Sequence, residues 1–139
     1  QTFNGPEGPK RVFEEMSEYD GELLAFGLDL QQQETHVADS RNKLLQHIDS
    51  MQHPNRIIVN GEIDFILADR AHARTMPDEY FTPLQVEIYG SKVAIIDWTQ
   101  PITTIIINKQ EFADAYRQYF EKLWELAGHV GKERKPIRR

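Results

Sequence analysis

Ile88-Tyr89-Gly90-Ser91-Lys92-Val93-Ala94-Ile95-Ile96-Asp97-Trp98 is the stretch that decides how this chain is read. Residues 84–89 and 92–98 alternate around Gly90-Ser91, the pattern of a β-hairpin closed by a two-residue turn. Just downstream, Ile102-Thr103-Thr104-Ile105-Ile106-Ile107 is an unbroken β-branched run and the strongest strand signal in the chain. A helix is expected next. It has Asn108 as N-cap, Glu111 completing a capping box, and an apolar face of Phe112, Ala113, Tyr116, Phe120, Leu123, Trp124 and Ala127. Gly128 is expected to end it.

Upstream of the hairpin, Val12, Phe13, Met16 and Tyr19 fall on one face of a helix over residues 6–19, broken by Asp20-Gly21. Leu23-Leu24-Ala25-Phe26 reads as a strand buried on both faces. A polar linker at 31–34 leads to a helix over about 35–52, with Val37, Leu44, Leu45, Ile48 and Met51 as its inner stripe; His53-Pro54-Asn55 stops it. Residues 56–59 form the next strand, closed by Asn60-Gly61. The stretch 62–70 suits a short helix, and 71–76 reads as a further strand before Pro77. The resulting class is α/β: a mixed sheet of about five strands with helices packed on it. Residues 1–128 are expected to form one domain, and 129–139 a basic tail that is solvated and disordered.

Composition narrows the functional classes. At 139 residues the chain is long enough to build one core without staples, and it has no cysteine, so disulfide frameworks and thiolate metal sites are excluded. No apolar run approaches the roughly 18 residues of a membrane span, and no signal peptide is seen, which fits a cytoplasmic protein. With 22 acidic and 16 basic residues the net charge is −6, a sign that opposes nucleic-acid phosphates. The first residue is Gln1 rather than Met, so a fragment or processed product is expected. His36, His47, His53, His72 and His129 show no metal-binding spacing, and there is no nucleophile elbow, Walker loop or dinucleotide fingerprint. No catalytic residue, metal or cofactor is expected.

Four residues are singled out for ligand binding. Lys92 and Asp97 lie five apart on one strand, so they point to opposite faces unless a bulge intervenes. They read either as an anion or sugar site, or as an exposed lysine and an aspartate that ends the strand. Trp98 could stack a sugar ring while Asp97 accepts its hydroxyls, or it could cap the core beside Pro101. Arg74, near His72 before the Met76-Pro77 loop, is a second cation within possible reach. A site built from Lys92, Asp97, Trp98 and Arg74 would favour a polyol or an anion.

The segment Gly90-Ser91-Lys92-Val93-Ala94-Ile95-Ile96-Asp97 keeps the Lys and Asp of the H-x-K-x-x-x-x-D motif of the phospholipase D superfamily, with Gly90 where the nucleophilic histidine would stand. Thr2-Phe3-Asn4-Gly5-Pro6-Glu7-Gly8-Pro9-Lys10, the hairpin at 88–98, Ile105-Ile106-Ile107-Asn108-Lys109-Gln110-Glu111-Phe112-Ala113 and Tyr116-Arg117-Gln118-Tyr119-Phe120-Glu121-Lys122-Leu123-Trp124 together resemble the effector domain of prokaryotic TrmB-like transcriptional regulators. The resemblance runs from Thr2 to Ala127. It implies a non-catalytic, phospholipase-D-like half-unit that senses an effector and dimerises, two copies sharing a cleft near Trp98. DNA would be bound only through a helix-turn-helix domain outside this chain. Sugar-sensing members carry a further C-terminal β-rich domain, whereas this sequence runs into a charged tail soon after its last helix. Two other classes stand beside this one: a small phospholipase-D-type phosphodiesterase or nuclease, which needs a histidine at position 90, and a pure dimerisation module with no ligand.

Overall fold

The computed structural model describes residues 1–51, 55–60, 68–80 and 82–137. In chain order they form β1 (Thr2–Asn4), α1 (Glu7–Ser17), β2 (Leu23–Leu28), α2 (Leu30–Ser50), β3 (Asn55–Asn60), β4 (Ala71–Met76), a 3₁₀ turn (Asp78–Tyr80), β5 (Leu84–Tyr89), β6 (Lys92–Asp97), β7 (Thr103–Asn108), α3 (Gln110–Val130) and β8 (Glu133–Arg134). The class is the expected α/β, but the strand count is not. The sheet has eight strands in the order β1-β7-β6-β5-β2-β3-β4-β8. Two of them, β1 and β8, are edge strands of three and two residues, too short to leave an alternating pattern. The pairs β2–β3 and β3–β4 are parallel and the other pairs antiparallel, so the sheet is mixed.

Both faces of the sheet are covered. Val12, Phe13 and Met16 of α1 and Val37, Leu44 and Ile48 of α2 pack with Leu23, Ala25, Ile57, Ala94 and Ile96 in one apolar layer. On the other face Ala113, Phe120, Trp124 and Ala127 of α3 pack with Leu24, Ile58, Val86, Ile88 and Val93. The alternation of residues along β2, β5 and β6 between these two layers is the period of two that a strand imposes. The expected hairpin is present in register, with Tyr89 opposite Lys92 and Leu84 opposite Asp97, and Gly90 takes φ +61° in its turn.

Several expectations need correction. The stretch 31–34 is not a linker: α2 begins at Leu30, because the Asp29 side chain caps it by accepting from Gln32 N at 3.0 Å. The helix then bends at Val37, whose φ −142° and ψ 34° are non-helical, so the inner stripe predicted for residues 37–51 resumes after a kink. Asn108 does not cap α3. Its Oδ1 accepts from Ser91 Oγ at 2.6 Å, and Lys109 holds the N-cap position without a side-chain cap. Gly128 does not end α3, which continues to Val130. A Cβ at Gly128 would lie 2.9 Å from Arg74 Nη1, so the glycine leaves room for that guanidinium.

Another concerns the C-terminal segment. It is not a free tail: Arg134 pairs with Ala73 and Glu133 with Arg74 in β8, while Lys132 N and Ile137 N donate to Thr75 Oγ1 and Asp69 O. An ion pair from Glu133 to Arg74 and a 3.0 Å hydrogen bond between Glu133 and His72 hold it, an outcome that a count of charges at the terminus does not reveal. Phe112, expected on the inner face of α3, is exposed. The helix stop expected at His53-Pro54, the turn at Gly61, the helix over 62–67 and tail residues 138–139 lie outside the described residues.

Gly27 tests the sheet centre. It sits at the irregularity of the β2–β3 pairing with φ +71°, and an added Cβ would come 2.4 Å from the backbone oxygen of Leu84 on β5. Gly27→Ala is expected to cost more than about 2 kcal/mol in urea denaturation. Gly90→Ala, where the nearest atom is 3.2 Å away on the Tyr19 ring, should cost about 1 kcal/mol from backbone strain alone.

Candidate functional site

The four residues expected to bind ligand do not converge. Lys92 begins β6 and Asp97 ends it; five apart, they face opposite layers, as the period of two requires. Lys92 Nζ bonds Glu15 Oε1 of α1 at 2.8 Å, and that oxygen also accepts from Tyr89 Oη at 3.1 Å. Arg11 Nε binds the other oxygen of Glu15 at 2.8 Å. Burial alone would raise the Glu15 carboxyl, but hydrogen bonds from Lys92, Arg11 and Tyr89 outweigh it and hold it below the usual range. Asp97 is turned back on its own chain: Oδ1 accepts from Thr99 N at 3.0 Å and Thr99 Oγ1 at 2.7 Å, which lowers its pKa. Arg74 is separated from β6 by β5, β2 and β3. It lies 4.3 Å from the Trp124 ring centroid, donates to Trp124 O at 2.8 Å, and pairs with Glu133. The Gly90 backbone oxygen accepts from Arg117 Nη2 at 2.6 Å.

Trp98 leads elsewhere. Its indole is buried, near-parallel to His36 at 6.2 Å, and its Nε1 donates to Gln85 Oε1 at 3.1 Å. That same oxygen accepts from Gln33 Nε2 at 3.2 Å and lies 3.5 Å from Asp29 N, while Gln85 Nε2 donates to Glu87 Oε1 at 2.7 Å. The chain Trp98–Gln85–Glu87 therefore runs along the inner face of β5, with both β5 members buried. Sequence reasoning missed Gln85, Glu87, Gln33, Asn55 and Arg41. A signal was available: Val93-Ala94-Ile95-Ile96 on β6 is apolar at every position, as in a strand covered on both sides. The strand hairpinned to it is then covered too, and Gln85 and Glu87 become interior polar residues.

Glu87 opens into a partly open cavity of about 60 Å³ between the sheet and helices α1 and α2. Its walls are mainly apolar, with Phe13, Leu28, Leu44, Ile48 and Ile57 among them, and Gln33, Arg41, Asn55 and Glu87 supply the polar groups. Burial pushes the Glu87 carboxyl up from an ordinary 4.5 to about 8, against the hydrogen bond from Gln85, so it is mostly neutral at pH 7. The Asn55 side-chain oxygen is buried without a partner. Among the described residues no group of three or more His, Asp or Glu is placed to hold a metal, and no helix is long and apolar enough to cross a membrane.

No protein-family model and no curated protein matches the chain. In fold it is similar to the solved structure of TrmBL2, an archaeal chromatin protein described as showing a novel mode of DNA binding. The TM-score is 0.65 at 13% sequence identity, over 90% of this chain and 52% of that one. The chain thus spans about half the length of that protein, and the likeness is one of fold.

The neutral acid has a pH signature. Between about pH 4.5 and 8 the unfolded chain has released the Glu87 proton while the folded chain retains it. The folded state binds more protons there, so stability falls as pH rises through this window, by up to about 4 kcal/mol. Glu87→Gln should remove that slope and raise the melting temperature at pH 8 relative to the parent. A thermal-melt series from pH 5 to about pH 8.5 on both proteins checks this.

Proposed function

We propose that this chain is the regulatory, non-catalytic domain of a TrmB-like transcriptional regulator, a unit that dimerises and responds to a small molecule. The observation that carries the reading is the likeness in fold to a DNA-binding chromatin protein over nine-tenths of this chain but only about half of that one. The sequence motifs at 2–10 and 88–124 support the same family. With a net charge of −6, DNA contact would fall to a domain other than this one. An effector gathered by Lys92, Asp97, Trp98 and Arg74 together is hard to accommodate, since these sit at separated places and most are already paired. The cavity reached from Trp98 through Gln85 is the better candidate.

Dimerisation has support in α3. Its inward face is Ala113, Phe120, Trp124 and Ala127, yet a second apolar line runs along the helix at Phe112, Tyr116, Tyr119, Leu123, Leu126 and Val130. The steps of four and three are those of a coiled-coil seam. Phe112, Tyr119, Leu126 and Val130 remain 44, 57, 37 and 42% exposed, and Tyr116 and Leu123 half-buried. Such a seam is self-complementary about a two-fold axis: antiparallel pairing centred between Tyr119 and Leu123 sets Phe112 against Val130 and Tyr116 against Leu126. Light scattering should give a dimer at micromolar concentration. A Tyr119→Lys, Leu126→Lys double variant, which touches no buried position, should be a folded monomer. A native chain that stays monomeric refutes this part of the reading.

The alternative class, a phospholipase-D-type phosphodiesterase, makes a different prediction. If only the nucleophile had been lost, Gly90→His would restore activity, and φ +61° is a conformation that histidine tolerates better than most residues. With Lys92 held by Glu15 and Asp97 at the far end of β6, we expect no metal-independent hydrolysis of bis(p-nitrophenyl) phosphate by Gly90→His. Turnover that is abolished by Lys92→Ala would favour the enzyme.

A further inference from the structure

We infer that the partly open cavity between the sheet and helices α1 and α2 is a binding site for a small primary ammonium ligand, its head held by the Glu87 carboxylate, its alkyl part by Leu28, Leu44 and Ile57. The inference rests on the regulatory reading only in regarding such a ligand as an effector.

Glu87 stands on a strand with neighbours on both sides, 3% exposed, and its one bond is the 2.7 Å contact from Gln85 to Oε1. No cation among the described residues bonds it. Arg41 lines the same cavity, but its guanidinium is taken by Glu34 and Asn42. Asn55, also 3% exposed, lines the cavity with an amide oxygen that has no partner. The third acceptor nearby, Gln85 Oε1, is already shared by Gln33 and Trp98. The cavity lining therefore holds two buried acceptors short of a donor, and one of them, Glu87, can carry a full negative charge. Buried acceptors left open in this way are costly and call for a partner.

An ammonium group meets the requirement. It supplies three donors, and its charge offsets the burial that otherwise keeps Glu87 protonated. A carboxylate ligand, ionised at neutral pH, supplies no donor and would leave these acceptors open. The cavity of about 60 Å³ limits size. A space of this kind suits a small ligand, an ammonium head with a short alkyl part that rests on the apolar walls.

The test titrates the whole chain with methylammonium and ethylammonium, and with ethanol and acetate as controls of similar size. Binding is followed by the indole N–H resonance of Trp98, which reports through Gln85. Ethylammonium should bind saturably, at about millimolar affinity, near the ceiling for a ligand of three heavy atoms. Acetate should not bind, and ethanol should bind at least about tenfold more weakly. Near pH 7 each ethylammonium bound should release close to one proton as Glu87 ionises, seen by calorimetry in two buffers of different ionisation enthalpy. Glu87→Gln should weaken ethylammonium binding by about tenfold or more. The proposal is overturned if neither amine saturates, if ethanol binds as well as ethylammonium, or if Glu87→Gln binds it unchanged. Should Glu87→Gln disturb the fold, proton release by the native chain decides alone, and its absence refutes the site. None of these readouts involves dimerisation or DNA, so failure here leaves the regulatory reading standing.

Discussion

The structure depends on the covering of β5 from both sides. This strand lies between β2 and β6, with α1 and α2 over one face and α3 over the other. Its side chains alternate strictly: Val86 and Ile88 enter the α3 layer, while Gln85, Glu87 and Tyr89 enter the other. A polar group placed there has no water to turn to and must find partners within the protein. The surrounding elements are arranged accordingly. Gln85 collects the Trp98 indole and the Gln33 amide, and the first turn of α2 is held in place where it supplies Gln33 and the Asp29 cap. Tyr89 reaches Glu15 at the edge of the layer, and Lys92 joins it there. Glu87 has Gln85 as its one partner among the described residues and stays neutral instead.

Much of the architecture was legible because strong periodicity survives tertiary packing. The hairpin about Gly90-Ser91, the β-branched run of β7 and the inner faces of α1 and α3 follow directly from spacing. The features that escaped are those that one short-range pattern cannot encode. The edge strands β1 and β8 are held by pairing with β7 and β4, and two or three residues carry no period. The run Gln31-Gln32-Gln33 looks like a linker, but Gln33 is buried because a glutamine 52 positions away needs it. Asn108 has a cap's side chain, yet Ser91 across the hairpin turn claims it.

The expected ligand residues show the same division between local and distant information. That Lys92 and Asp97 point apart is a matter of strand period and was legible. That Lys92 is neutralised by Glu15, and that Trp98 is an internal hydrogen-bond donor, depends on contacts 77 and 13 positions away in sequence. Local spacing within the H-x-K-x-x-x-x-D pattern therefore says little about what the strand does here. Gly90 serves as a left-handed turn residue and a backbone acceptor for Arg117. Lys92, Asp97 and Gly90 thus serve the fold itself, through an ion pair, a strand end and a turn. The regulatory reading, in which the scaffold dimerises and encloses a small molecule, fits those duties.

The account turns on a carboxyl that is buried, lacks a counter-ion and is therefore neutral. Its most direct test is the side-chain carbon resonance of Glu87 in ¹³C-labelled protein, followed through a pH titration with no ligand added. The account predicts that the Glu87 Cδ signal moves with a midpoint near pH 8. A midpoint near the ordinary 4.5 would mean that the group is ionised at neutral pH, solvated or paired within the fold, and would contradict it.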